Sequence, residues 1–136
     1  MNATIVTLLG TLLVVQAVSA TPPKGVLQID NALFKDRPIF CEEEILAPRK
    51  SDFEIVDYDL LSSEGGERYA IMNIRNTSSG QRILRKENLV AIFANCNSLY
   101  PENINQSLSG RETVTKSISF GINQFPIIKI ITGNEQ

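Results

Sequence analysis

The 136-residue chain has no histidine, no tryptophan and only two cysteines. Without an imidazole it can build neither a Ser-His-Asp nor a Cys-His nucleophile, because both rely on a base that titrates near neutral pH. The usual histidine-bearing catalytic zinc sites are excluded for the same reason. A surplus of either charge is also missing: 13 Lys and Arg stand against 15 Asp and Glu, a net of −2. So small a balance provides no field for gripping nucleic acid. No Asp-X-Asp-X-Asp-Gly calcium loop occurs. No apolar run approaches the roughly 20 residues that span a bilayer.

What is present begins with a short apolar stretch, Ile5 to Val15, followed by Val18-Ser19-Ala20 and then Thr21-Pro22-Pro23. An apolar core of this length, small residues at the spacing a signal peptidase accepts, and a Pro-Pro stop predict a secretory signal peptide over 1–20. A buried helix or a membrane anchor is the competing reading. An anchor, however, wants a longer run and a basic flank, and the first Lys is Lys24. Cleavage after Ala20 leaves 136 − 20 = 116 residues, one domain over 21–136 with a single core. The expected location is extracellular.

That compartment governs how Cys41 and Cys96 are read. Where the surroundings oxidise, an even pair forms a bridge, and this one closes a loop of 96 − 41 = 55 residues. Two separate buried thiols are the alternative. A catalytic thiol would need a base beside it.

The rest reads as short strands. Val26 to Ile29 is a first strand, and Ile39 to Leu46 an edge strand or bulge, since Glu42-Glu43-Glu44 suits no two-sided buried strand. Phe53 to Leu61 and Arg68 to Arg75 form a hairpin around Ser62-Ser63-Glu64-Gly65-Gly66, with Glu54, Val56, Tyr58 and Leu60 on one face. Asn76 to Gly80 is a turn, Gln81 to Leu84 a short strand, and Asn88 to Ala94 a strand buried on both faces. Helix competes over Leu84 to Ala94. Asn97 to Gly110 reads as an irregular loop with one helical turn at most, at Pro101-Glu102-Asn103. Thr113 to Phe120 alternates with Val114, Ile118 and Phe120 inward, and Phe125 to Thr132 closes the chain with Pro126 at a strand edge or start. About seven strands predict an all-β fold, a small antiparallel β-sandwich or barrel.

Few features could carry chemistry. Asn76-Thr77-Ser78 and Asn105-Gln106-Ser107 are glycosylation acceptors in expected turns or loops, if the chain is exported. Glu42–Glu44 and the group Asp52, Glu54, Asp57 and Asp59 could pair carboxylates for glycoside hydrolysis, or hold calcium with backbone oxygens. The simpler account is a solvated edge that resists strand-to-strand aggregation. Arg82, Arg85 and Lys86, followed by Glu87, could meet an anionic partner or lipid surface, but read better as a solvated turn. Phe120, Ile122, Phe125, Ile127 and Ile128 could line a ligand cavity, though such a stripe is more often core.

Two stretches resemble the insect family named after multiprotein bridging factor two, small chains of secreted type. Phe34 to Ile45, with Asp36-Arg37-Pro38 inside it, is similar to the family's Gly-Asp-Arg-Leu approach to its first long strand. Gly121 to Gly133 resembles its closing Gly-X-Asn-Phe-X-X-X-Ile-X-Gly strand. The resemblance implies an arthropod secreted β protein and carries no functional residue. The family's name implies transcriptional coactivation, a role the leader speaks against. The expected function is therefore a secreted, non-enzymatic extracellular domain acting through its surface on a protein partner. It needs no cofactor, no metal, no nucleic acid and no membrane anchor. A carrier of a small apolar ligand between its sheets ranks second, and a carboxylate-dependent hydrolase third.

Overall fold

The computed structural model describes residues 25–31 and 34–134. The expected signal peptide over 1–20, its cleavage point and the lead-in as far as Lys24 lie outside the described residues. Within them the chain forms nine strands and no α-helix: β1 (Gln28–Ile29), β2 (Phe53–Ser62), β3 (Glu67–Asn76), β4 (Arg82–Arg85), β5 (Leu89–Phe93), β6 (Ser98–Leu99), β7 (Asn105–Leu108), β8 (Thr113–Ile122) and β9 (Ile127–Thr132). A single 3-10 turn, Lys86–Asn88, joins β4 to β5.

The fold is all-β and every pairing is antiparallel, distributed over three small sheets with orders β1-β2-β3-β8, β4-β7 and β6-β5-β9. None of the three is large enough to bury its own apolar face. They share one core instead. Leu60, Met72, Ile74, Ile118 and Phe120 from the large sheet meet Leu84 and Leu108 from the two-stranded sheet, and Leu89, Phe93 and Ile130 from the third.

The β2–β3 hairpin forms as expected, with Gly66 at φ +82 completing its turn. The expected facing of β2 is corrected. A bulge between Ile55 and Asp57 inserts Val56, so Phe53 and Ile55 point inward on one side of it and Tyr58 and Leu60 on the other. Glu54 and Val56, expected beside Tyr58 and Leu60, face solvent, Val56 at 47% exposure. An extra residue flips the two-residue period, and no alternation rule anticipates where it falls.

The stretch from Asn97 to Gly110 is not a plain loop. It contributes β6 to the β5 sheet and β7 as the partner of β4, with Leu108 fully buried. Ile39 to Leu46 forms no strand; it is an irregular strap. Lys129 Nζ donates to the Arg37 carbonyl (3.3 Å), Leu46 N–H to Ser98 Oγ (2.8 Å) and Arg49 N–H to the Glu87 carbonyl (2.6 Å). Cys41 is bonded to Cys96, the bridge expected from the sequence. These ties lie on both flanks of β5, whose alternate residues Leu89, Ala91 and Phe93 belong to the core. Val90 and Ile92 point the other way yet are only 0% and 3% exposed. Burial on that second face requires a cover, and the strap is the segment anchored across it.

Candidate functional site

The two sequons are placed oppositely, one buried and one exposed. Asn76 ends β3 fully buried, and its side chain is a junction. Nδ2 donates to the carbonyls of Gly80 (2.8 Å), Ser109 (3.0 Å) and Leu108 (3.3 Å). Oδ1 accepts from the Ser78 N–H (3.0 Å) and hydroxyl (2.8 Å). Asn76 N–H donates to Glu112 O, and Thr77 donates to Asp52 O through both N–H and Oγ1. Three separate segments are thereby pinned together: Asp52, the β3–β4 turn and the β7–β8 turn. Ser79 O approaches Gly110 so closely that a Cβ there would lie 2.0 Å from it. Asn76 thus ends a strand as a buried junction and does not stand in an open turn, and a glycan on Nδ2 would displace bonds that fold the chain. Asn105, at the start of β7, is exposed and keeps a free path to solvent.

The acidic groups do not converge. Glu42, Glu43 and Glu44 are exposed on the strap. Asp52 is paired with Arg82 (2.8 Å) and Glu54 with Arg75 (3.8 Å). Asp57, beside the β2 bulge, pairs with Lys35, which also donates to the Tyr58 carbonyl and sits 4.8 Å from the centre of the Tyr58 ring. The Lys35 ammonium hydrogen-bonded to Asp57, with the Tyr58 N–H as a second donor, holds that carboxyl below the usual carboxylate range. The Tyr58 hydroxyl meets the Ile130 N–H of β9 at 3.3 Å, linking the large sheet to the third. Among the described residues no three His, Cys, Asp or Glu side chains gather to hold a metal ion.

The Phe/Ile stripe divides. Phe120 and Ile127 enter the core, while Ile122 is 78% exposed and Phe125 and Ile128 are partly covered.

The basic group turns out larger than sequence reading implied. Arg82 and Arg85 stand on β4, and Lys86 opens the 3-10 turn, so the expected turn is really a strand end. The segment leading into β2 runs back beside β4, tied at one end by Arg49 N–H to Glu87 O and at the other by Asp52 to Arg82. Between the ties lies an open depression of about 380 Å³ whose lining includes Arg49, Lys50, Asp52, Arg82, Ile83 and Arg85. A second depression of about 290 Å³ continues from Arg85 past Lys86 to Ile104 and Asn105. Arg49 and Lys50 lie more than thirty positions from Arg82, so proximity in sequence gave no sign of the grouping. No local signal marked it, since Asp52 and Glu54 follow Arg49-Lys50 closely and balance their charge in the sequence.

No protein-family model, no curated protein and no solved structure matches the chain.

Proposed function

We propose that the chain is an exported, non-enzymatic domain that works outside the cell by binding a protein partner through its surface. The observation that carries this reading is the open basic track along β4, a cationic strip on a chain of net negative charge. Such a strip steers and orients an oppositely charged macromolecule. The Cys41–Cys96 staple and the exposed acceptor at Asn105 accord with life in an oxidising, secretory compartment. A carrier would want an apolar chamber between the sheets, where Phe53, Leu60, Met72 and Phe93 instead lie fully packed. A hydrolase would want two carboxylates across a cleft, whereas Asp52 and Asp57 are engaged by cations. The resemblance of Phe34–Ile45 and Gly121–Gly133 to an insect family of small secreted-type chains also accords with export.

The test is capture from extracellular fluid with the oxidised chain immobilised, followed by mass spectrometry. A recurring protein displaced by excess free chain supports the proposal. Recovery of no specific protein removes it.

A further inference from the structure

The basic track has more detail than a patch of charge. Across the two depressions, Arg49, Lys50, Arg82, Arg85 and Lys86 face only Asp52 and Glu87, five cations against two carboxylates, or +3. The whole chain is −2, so the rest of the molecule carries −5 and repels the ligand that this strip attracts. Asp52 neutralises one of the arginines at 2.8 Å. The side chains of Arg49, Lys50, Arg85 and Lys86 are exposed.

Ile83 stands between Arg82 and Arg85 on β4, 45% exposed on the lining of the larger depression. Its peptide groups lie along the edge of β4 away from β7, at right angles to the side chain. Arg85 N–H donates to Asn88 Oδ1 (2.8 Å) rather than to β7, and groups two residues apart on a strand point to the same side. The amide and carbonyl of Ile83 therefore face away from β7 as well, toward the depression. The only aromatic side chain on the lining, Phe53, is 2% exposed, so no ring is offered for a base to stack on. Cations around an exposed aliphatic side chain and an outward-facing peptide unit match a peptide that alternates acidic and apolar residues. The pinned ends of the depression limit backbone pairing to the one unit at Ile83.

We infer that the β4 track, from Arg49 and Lys50 to Lys86, is the docking site for an acidic peptide segment of the partner protein, with one apolar side chain seated on Ile83. This rests on the surface-binding function proposed above and names the chemistry its partner presents.

The probe is a fluorescein-labelled octapeptide of glutamates with two leucines, titrated by anisotropy into the oxidised full chain. Binding is expected at low salt, weakening as salt rises. The double variant Lys50→Glu/Arg85→Glu keeps the Arg82–Asp52 pair and should bind about tenfold or more weakly. Arg37→Glu, a single reversal away from the track, should bind like the unaltered chain. Replacing both leucines by glutamine should also cost affinity. No binding, equal binding by the double variant, or equal binding of the leucine-free peptide and a heparin fragment would overturn the assignment. The same double variant in the capture experiment separates the two claims. A partner captured regardless of the reversal leaves the function standing and removes the site. A peptide that binds as expected, with no partner captured, does the opposite.

Discussion

Replacing Asn76 by alanine tests how the large sheet is held to the two-stranded one. Nδ2 has two hydrogens, so its three carbonyl contacts amount to about two full bonds, and Oδ1 accepts two more from Ser78. Each such bond contributes about 1 kcal/mol net, which gives about 4 kcal/mol for the side chain. Partial rehydration of the Gly80 and Ser109 carbonyls would return some of that, so the expected loss is about 3 kcal/mol. Against a total of roughly 5–15 kcal/mol for a domain, this is large. Urea unfolding followed by circular dichroism should show a lower midpoint with an unchanged slope. The parallel variant Asn105→Ala, at an exposed site, should stay within about 0.5 kcal/mol of the unaltered chain. A loss below about 1 kcal/mol for Asn76→Ala, at constant slope, would refute the view that this side chain clamps the β3–β4 and β7–β8 turns.

Three further outcomes are expected. In material exported from a eukaryotic host, glycosidase treatment and peptide mass mapping should find no sugar on Asn76; a modified Asn76 in folded protein would contradict its burial. The depressed Asp57 carboxyl contributes stability that is fully present above its unfolded value, near 3.8, and is lost as pH falls through the lower folded value. Carbon-detected NMR titration should show the Asp57 pKa rising toward the ordinary range in Lys35→Ala, incompletely because the Tyr58 N–H bond remains; no change would deny the Lys35–Asp57 pair. Reducing the Cys41–Cys96 bridge reopens a 55-residue loop, and the chain-entropy model puts the loss at about 4 kcal/mol. Limited proteolysis should then cut first within residues 39–46, and an intact strap after reduction would show that its hydrogen bonds suffice.

How much of this could be read from the residues depended on how many of them took part in each pattern. The ten-residue β2, β3 and β8 announce themselves because alternation has room to repeat, and β5 because five successive apolar residues fit a strand covered twice. β6 has two residues and β7 four, too few for a period, and their existence depends on partners already in place. Ile39 to Leu46 has strand-like composition but meets no neighbouring edge; Phe40 is left 89% exposed, and the segment is held by a sulfur bridge and isolated bonds instead. The Asn76 sequon looked like an open turn because its tripeptide carries no sign of the Leu108 and Ser109 carbonyls that close over it. The basic track was half visible, at Arg82, Arg85 and Lys86, and its other half arrives only when the approach to β2 folds back along β4.

The strap also constrains when this polypeptide can become itself. Arg37 awaits Lys129, 92 positions downstream, and Tyr58 awaits Ile130, 72 positions downstream. A nascent chain leaving the ribosome can close its early hairpin, but Val90 and Ile92 gain their cover only as the front segment settles and its thiols find each other. The tie at Arg37 and the link from Tyr58 to the third sheet close only once the final strand has emerged, and distant β pairings of this kind form slowly. Removing β9 would take away the partners of Arg37 and Tyr58, while the ties of the front segment to Cys96, Ser98 and Glu87 would remain.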